Sequence, residues 1–343
     1  MKAAMLRALG DIVVEDVNEP ELPKEGLILR VEACSICGTD VKMWKSGHRD
    51  LTYPRVLGHE FVGVVEDISS YDLGIGIGDK VQVWPGIACG RCAPCLRGRD
   101  NQCESQGIIG FNIDGGFAEL VALPRESIEC GGINLIPKGL GEIKATLAEP
   151  LACCINGQDA CGLGPGDRVL IIGAGPIGLL HAMLARMRGA ETVMLAEIDM
   201  NRAELALNAK PDRVITGDLS REVFDITDGK GVDVLLIAAP GVEVNMGLIS
   251  LLSSGGRLNI FSGMPKSMST IPIDLNHIHY REISISGSYG CRSDGCKRAL
   301  ELLNGGGFDC DWIFTKRIPL AQIEQGLRHS LDRDGLKAVV IEY

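Results

Sequence analysis

The sequence predicts an α/β protein of two domains, one built on a small β-barrel or sandwich and the other on a doubly wound parallel sheet. Three observations carry this expectation. The first 150 residues hold short strand-like runs separated by glycine turns. From about residue 165 apolar strands alternate with helix-compatible stretches, and the turn joining the first of these strands to its helix is Gly173-x-Gly175-x-x-Gly178. At roughly 150 residues per domain, a chain of 343 residues favours two, each large enough for its own core.

In order along the chain, β-runs fall at 12–17, 27–33, 62–66 and 80–84, with a glycine turn at 76–79 before the last. Residues 168–172 form a continuous apolar strand, the pattern of a sheet covered on both faces. A helix is expected over 176–188, a strand over 192–196, and a second helix over 201–209 that stops before Pro211. Further strands are expected at 213–215, 232–237, 258–261 and 283–286. Helices at 295–304 and 320–329 and a strand at 338–341 exceed a six-stranded sheet, so they return to complete the first domain. The expected division is therefore 1–150 with 288–343, against 151–287. No internal repeat, low-complexity segment or long linker interrupts it.

Composition narrows the class. Apolar residues make up 45% of the chain and charged residues 23%, as in an ordinary soluble globular protein. A net charge of -11 argues against a nucleic-acid partner, which needs a basic face. The start of the chain lacks a signal-like apolar stretch, and no charge-free run is long enough to span a membrane. Thirteen cysteines without a leader point to metal ligation and free thiols in a reducing cytoplasm.

Four of those cysteines, Cys89, Cys92, Cys95 and Cys103, lie within one short stretch interrupted by Gly90, Pro94 and Gly98. Structural zinc takes four thiolates in a tetrahedron, and x2 spacings put successive sulfurs into one small loop. The lobe, about 86–104, would be closed to substrate and therefore structural. A zinc ribbon for nucleic acid shares the pattern but not the acidic charge.

A second set is open. Cys37, His59 and Glu60 offer a thiolate, an imidazole and a carboxylate, leaving a position for water or an alcohol oxygen. Cys34 and Cys37 also form a CxxC pair, with Cys37 the favoured ligand and Cys34 a small buried thiol. In the glycine turn, Gly173 permits the bend, Gly175 lets the backbone approach a pyrophosphate, and Gly178 allows close helix packing. The helix opening at Pro176 and Ile177 offers its N–H groups to phosphate. Glu197, nineteen residues beyond Gly178, suits a carboxylate bonding a ribose 2′-hydroxyl and repelling a 2′-phosphate, which favours NAD over NADP; Asp199 is the competing acid. Arg202, in the following helix, is counted with the coenzyme-binding residues.

These residues together resemble the zinc-containing medium-chain alcohol/polyol dehydrogenase family, in its sorbitol and threonine dehydrogenase-like branch, over essentially the whole chain. Gly58-His59-Glu60-x-x-Gly63 is similar to its zinc signature, the four cysteines to its structural lobe, and 173–178 to its coenzyme turn. The resemblance implies a GroES-like β-barrel catalytic domain and a Rossmann coenzyme domain, with one catalytic and one structural Zn²⁺ per chain. It implies Cys37 and His59 as catalytic zinc ligands, Glu60 and Glu149 as acids at the metal, and Thr39 as the hydroxyl relaying the substrate proton. Cys153 and Cys154 are rival ligands to Glu149. Two departures stand out: Lys42 replaces a relay histidine of several relatives, and Ser69 replaces a small residue of the longer signature.

The activity implied is hydride transfer between a secondary alcohol and NAD, with the metal acting as a Lewis acid. A polyol, sugar alcohol or sugar-alcohol phosphate is the first expectation for the substrate. L-threonine or a simple secondary alcohol is the alternative, and a non-catalytic zinc protein the reading from another class. Trp44, His48 and Tyr53 either line the pocket or pack a surface loop, and 288–290 resembles a stretch near the substrate cleft. A homo-oligomer, dimer or tetramer, is expected from the family.

Overall fold

The computed structural model describes residues 1–69 and 74–343, and the chain divides into two compact units, Met1–Ala152 with Cys291–Tyr343, and Cys153–Gly290. The first unit is a β structure. Its larger sheet runs in the order Ile133–Leu135, Lys80–Val83, Glu60–Ile68, Leu27–Ser35, Lys337–Glu342 and Phe314–Pro319, with Leu120–Leu123 also paired to Leu27–Ser35. A smaller sheet holds Asp11–Asp16, Lys2–Ala8 and Arg55–Val56. One apolar cluster fills the space between them, including Leu27, Leu29, Phe61, Val81, Phe117 and Val340.

The strand Leu27–Ser35 is buried along most of its length because it is central in the sheet, with Glu60–Ile68 on one side and Leu120–Leu123 then Lys337–Glu342 on the other. Ser35 is registered opposite Glu60 on one neighbour and opposite Val339 on the other. That register brings the ends of three strands, far apart in sequence, to one place.

The second unit is a six-stranded parallel sheet. Its spatial order is Arg213–Ile215, Thr192–Ala196, Arg168–Ile172, Val232–Ile237, Leu252–Ile260 and Ser284–Gly287. In order of appearance this is 3-2-1-4-5-6, the doubly wound arrangement, which places a ligand crevice at the carboxyl ends of the strands where the order reverses. The central strands are almost wholly buried, as their unbroken apolar runs require. Arg168 enters this sheet beside Asp233 in a paired contact, with Nε and Nη2 each 2.8 Å from a carboxylate oxygen. Burial works against the Asp233 charge, yet the Arg168 hydrogen bonds bring its pKa down to about 2.

Some elements differ from the expectation. The helix Ala148–Ala160 falls where no helix is expected. It has no clean polar stripe, since Leu151, Ala152, Cys154 and Ile155 are all buried, and Pro150 sits in its first turn, where proline is tolerated. The short helix Gly38–Ser46 follows directly on Cys37. The strand Leu252–Ile260 starts six residues before 258, running through a Ser-Ser-Gly-Gly stretch that resembles a turn and pairing irregularly with Val232–Ile237.

Candidate metal centres and coenzyme turn

The four cysteines of the lobe come together, with all four sulfurs within 4.8 Å of one another. Cys92 Sγ is 3.4 Å from Cys95 Sγ and 3.9 Å from Cys103 Sγ. Four Zn–S bonds of about 2.3 Å in a tetrahedron have sulfur–sulfur edges of about 3.8 Å, so the set fits the ion. The backbone N–H of Cys89 donates to Cys103 Sγ at 3.3 Å. N–H groups of Arg91 and Cys92 draw the Cys89 thiol down to about 6, while burial pushes Cys95 up to about 12. Asp100 fastens the lobe to the returning chain by accepting from the Ser293 hydroxyl at 2.5 Å.

The second cluster is assembled from distant segments. Cys37 immediately precedes the helix Gly38–Ser46, and His59 and Glu60 stand at the head of the strand Glu60–Ile68; their ligand atoms lie within 4.8 Å of one another. Gly58 has φ +93°, and a Cβ there would fall 2.8 Å from Phe117 and 2.9 Å from Cys34 Sγ, so only glycine turns the chain into the site. Cys34 is thus a wall behind the site, with its thiol pKa pushed well up by burial.

Asp40, fully buried, ties the members of this cluster together. Its Oδ2 accepts from the Cys37 backbone N–H at 2.8 Å, and its Oδ1 accepts from Gly58 N–H at 3.3 Å and lies 3.2 Å from His59 Nδ1. This leaves His59 Nε2 for a metal, the carboxylate–histidine arrangement that fixes a ligand's tautomer. Burial alone would lower the His59 pKa, but Asp40 and the Cys37 thiol reverse this and hold it well above the usual value. Surroundings that favour positive charge on this scale suit a cation.

Glu149 is placed outside this trio, on the helix Ala148–Ala160, with Oε1 3.9 Å from Cys291 Sγ. Trp84 Nε1 holds the Cys291 carbonyl at 3.0 Å. Of the rival cysteines, Cys154 turns to the carbonyl of Ile177 at 3.7 Å, while Cys153 is one helical turn from Glu149. Thr39 lies half-buried in the first turn after Cys37, and Lys42, one turn on, is exposed. Trp44 is a core residue, 0% exposed, and therefore no pocket lining, and Tyr53 is exposed. His48 alone of those three approaches the cluster: its ring meets Phe111 edge-on at 5.2 Å, and Phe111 meets His59 at 5.2 Å. Ser69 bonds the Gly26 carbonyl at 2.9 Å, which makes that departure a matter of strand ends. In the other unit, Ser288 bonds Asn259 and Tyr289 is exposed.

In the coenzyme turn, a Cβ on Gly178 would fall 1.8 Å from the Gly173 carbonyl, and Gly173 has φ +104°. At Gly175 a Cβ would meet only Arg202 Nη1, at 3.5 Å, so the backbone there is open to a phosphate. Gly175 caps the twelve-residue helix Pro176–Met187, with Pro176 and Ile177 in its first turn. Glu197 extends the strand Thr192–Ala196. It accepts from Ala174 N–H at 2.9 Å through one oxygen and from Ile198 and Asp199 N–H through the other, which leaves lone pairs for a ribose. Asp199 is instead the cap of the helix Met200–Ala206, accepting from Arg202 N–H at 3.0 Å. The donor set and the open glycine fit a dinucleotide.

The fold and these clusters define a zinc-type, nicotinamide-dependent dehydrogenase, and comparison with known proteins agrees. Residues 23–130 match the family described as alcohol dehydrogenase GroES-like domain, and residues 176–305 the family described as zinc-binding dehydrogenase. The chain is 36% identical to L-threonine 3-dehydrogenase of Pyrococcus horikoshii, over 80% of this chain and 79% of that one. It is 29% identical to sorbitol dehydrogenase of Bacillus subtilis, over 96% and 94%. The structure of a zinc-binding dehydrogenase of Sinorhizobium meliloti bound to NADP superposes with a TM-score of 0.89 at 32% identity, covering 99% of this chain and 98% of that one. The chain belongs to the zinc-type medium-chain alcohol dehydrogenase family and is an NAD(P)-dependent alcohol or polyol dehydrogenase. This sets aside the non-catalytic reading.

Sequence reasoning missed Asp40, Ser35, Lys337, Cys291 and Phe111. Only Asp40 had a local signal: an acid three residues after the residue preceding a helix has the spacing of a capping box.

Proposed function

We propose that this chain oxidises a polyol, a sugar alcohol or its phosphate with NAD, and that Cys37, His59 and Glu60 hold the catalytic zinc with Glu149 beside them. The observation that carries the reading is the open trio, three ligands of different chemistry within 4.8 Å, against a closed set of four cysteines elsewhere. Zinc held there would supply a Lewis acid for the substrate hydroxyl, and a nicotinamide held at the glycine turn would supply the hydride acceptor. The protein's own part is positional. Asp40 fixes the His59 ring, Gly58 turns it inward, and Thr39 takes the hydroxyl proton outward. Gly173, Gly175 and Gly178 with the N–H groups at Pro176–Met187 receive the pyrophosphate, flanked by Arg202. Glu197 bonds the ribose 2′-hydroxyl, and its charge favours NAD over NADP.

Polyols come first because Glu149-Pro150-Leu151 supplies a carboxylate where a simple alcohol dehydrogenase resembles this region with a cysteine, and because a sorbitol dehydrogenase aligns over nearly the whole chain. L-threonine is the second reading, favoured by the Pyrococcus relative. The residues assigned to catalysis lie in 1–150 and 288–343, and those assigned to coenzyme in 151–287. Thirteen cysteines with no disulfide suit the cytoplasm, and no helix among the described residues is long and apolar enough to cross a membrane. Exposed Ile285 on the sheet's last strand, with Leu275 and Tyr280 nearby in sequence, supports a homo-oligomer, dimer or tetramer, which the molecular mass in solution tests.

The deciding experiment follows NAD reduction by zinc-replete protein across polyols, sugar-alcohol phosphates, L-threonine and simple secondary alcohols. A response to a polyol, lost on chelation and much weaker with NADP, supports the reading. A response to L-threonine alone replaces it with the second.

A further inference from the structure

The strand Lys337–Glu342 starts with a lysine whose side chain is 4% exposed, followed by Ala338, Val339 and Val340 at 0%. Its ammonium lies 2.5 Å from Glu60 Oε2 and donates to the Ile36 carbonyl at 3.4 Å. The Ser35 hydroxyl donates to the same carboxylate oxygen. One oxygen of Glu60 is therefore held by two donors, and among the described residues none reaches the other.

A buried ion pair is a poor way to stabilise a sheet, since apolar residues of similar volume often do as well or better. The placement makes sense as electrostatics for the cluster. The Lys337 ammonium and the Glu60 carboxylate are 4% and 1% exposed, so the lysine's charge reaches the cluster with little screening by water. A Cys37 thiolate with the Glu60, Glu149 and Asp40 carboxylates carries two more negative charges than a divalent ion neutralises.

We infer that Lys337 is a positioning residue of the metal site: it ties down one oxygen of Glu60, so that this carboxylate meets the ion through its other oxygen alone, and it offsets one unit of the surplus negative charge around the ion. The inference rests on the assignment of that ion to Cys37, His59 and Glu60. Without Lys337, Glu60 Oε2 keeps only the neutral Ser35 hydroxyl as donor, and is freer to turn to the ion and chelate beside the other oxygen. The ion then gains a ligand and is held more tightly.

The test uses the full chain loaded with cobalt(II) in place of zinc, because the visible bands of cobalt weaken as its coordination number rises above four. The difference spectrum between wild type and Cys37→Ser isolates this site from the four-cysteine lobe. Lys337→Met is expected to weaken those bands and to slow metal loss to a chelator by about tenfold, the effect of about 1.4 kcal/mol. Lys337→Arg, which keeps charge and reach, is expected to restore both. In a Glu60→Gln background Lys337→Met should change neither. Should Lys337→Met not fold, Lys337→Gln removes the charge while keeping a donor for Ile36, and gives the same comparison. Bands and exchange rate equal to wild type in the uncharged variant overturn the role of Lys337. A wild-type spectrum unchanged by Cys37→Ser overturns the metal assignment instead.

Discussion

The two candidate metal clusters of the first unit are built in opposite ways. The four-cysteine lobe takes every ligand from residues 89–103 and tunes its sulfurs with backbone N–H groups of the same loop. The open cluster takes Cys37 from the start of a helix, His59 and Glu60 from the head of a strand, and its lysine from a strand 301 positions beyond Ile36. A site that only has to exist can be local. A site that must leave a position vacant for substrate needs rigid supports from several directions, because the ligands cannot brace one another all round.

This contrast predicts different failures. The largest effect is expected from Cys37→Ser or His59→Ala: turnover is abolished, one zinc per chain is lost, and NAD binding and the melting temperature stay close to wild type. Metal analysis, a binding titration and a melting curve report all three, and a collapse of the fold would show the open cluster to be structural after all. Cys103→Ser is expected to do the reverse, losing the other zinc and lowering the melting temperature by about 10 °C. Turnover per folded chain should be kept, and an unchanged melting curve would count against a structural role.

Asp40→Asn keeps shape but removes the charge facing His59. Zinc affinity at the open site should fall between about tenfold and a hundredfold, with the lobe unaffected; competition with a chromophoric chelator measures it, and equal affinity would mean that Asp40 only shapes the backbone. The smallest effect belongs to a pair that touches neither cluster. Arg168→Met should cost about 1 kcal/mol at neutral pH, for a partly exposed pair. Asp233 in the folded protein titrates at about 2, below its unfolded value, so the stabilisation is present above about pH 4 and fades as pH falls through about 2. Denaturant unfolding of both proteins at the two pH values checks this, and a difference that persisted in acid would contradict it.

What the sequence revealed follows the same division between local and distant. The cysteine spacing, the glycine turn and the strand at 168–172 were legible because each is a pattern within a few residues of itself. The place of Glu197 after the strand Thr192–Ala196, facing the glycine turn, was legible because a strand and a turn fix its distance from Gly178. The supports of the open cluster were not, since they depend on strand pairing. Ser35 meets Glu60, and Lys337 arrives two residues ahead of Val339, only once the register of three strands is known. The one local hint was Asp40, at capping-box spacing from Cys37. The helix Ala148–Ala160 was hidden for another reason: buried on several sides, it lacks the polar stripe by which a helix is recognised.

The placing of Lys337–Glu342 between Leu27–Ser35 and Phe314–Pro319 also has a bearing on how the protein is made. A ribosome delivers Leu27–Ser35 early and its partner strand only after the whole Cys153–Gly290 unit has emerged. The parallel sheet has all its strands in one continuous stretch and is free to fold while synthesis continues. Leu120–Leu123 already covers Leu27–Arg30, so the barrel must wait only with the Cys34–Ser35 end of that strand unpaired on one flank, a short edge open to mispairing.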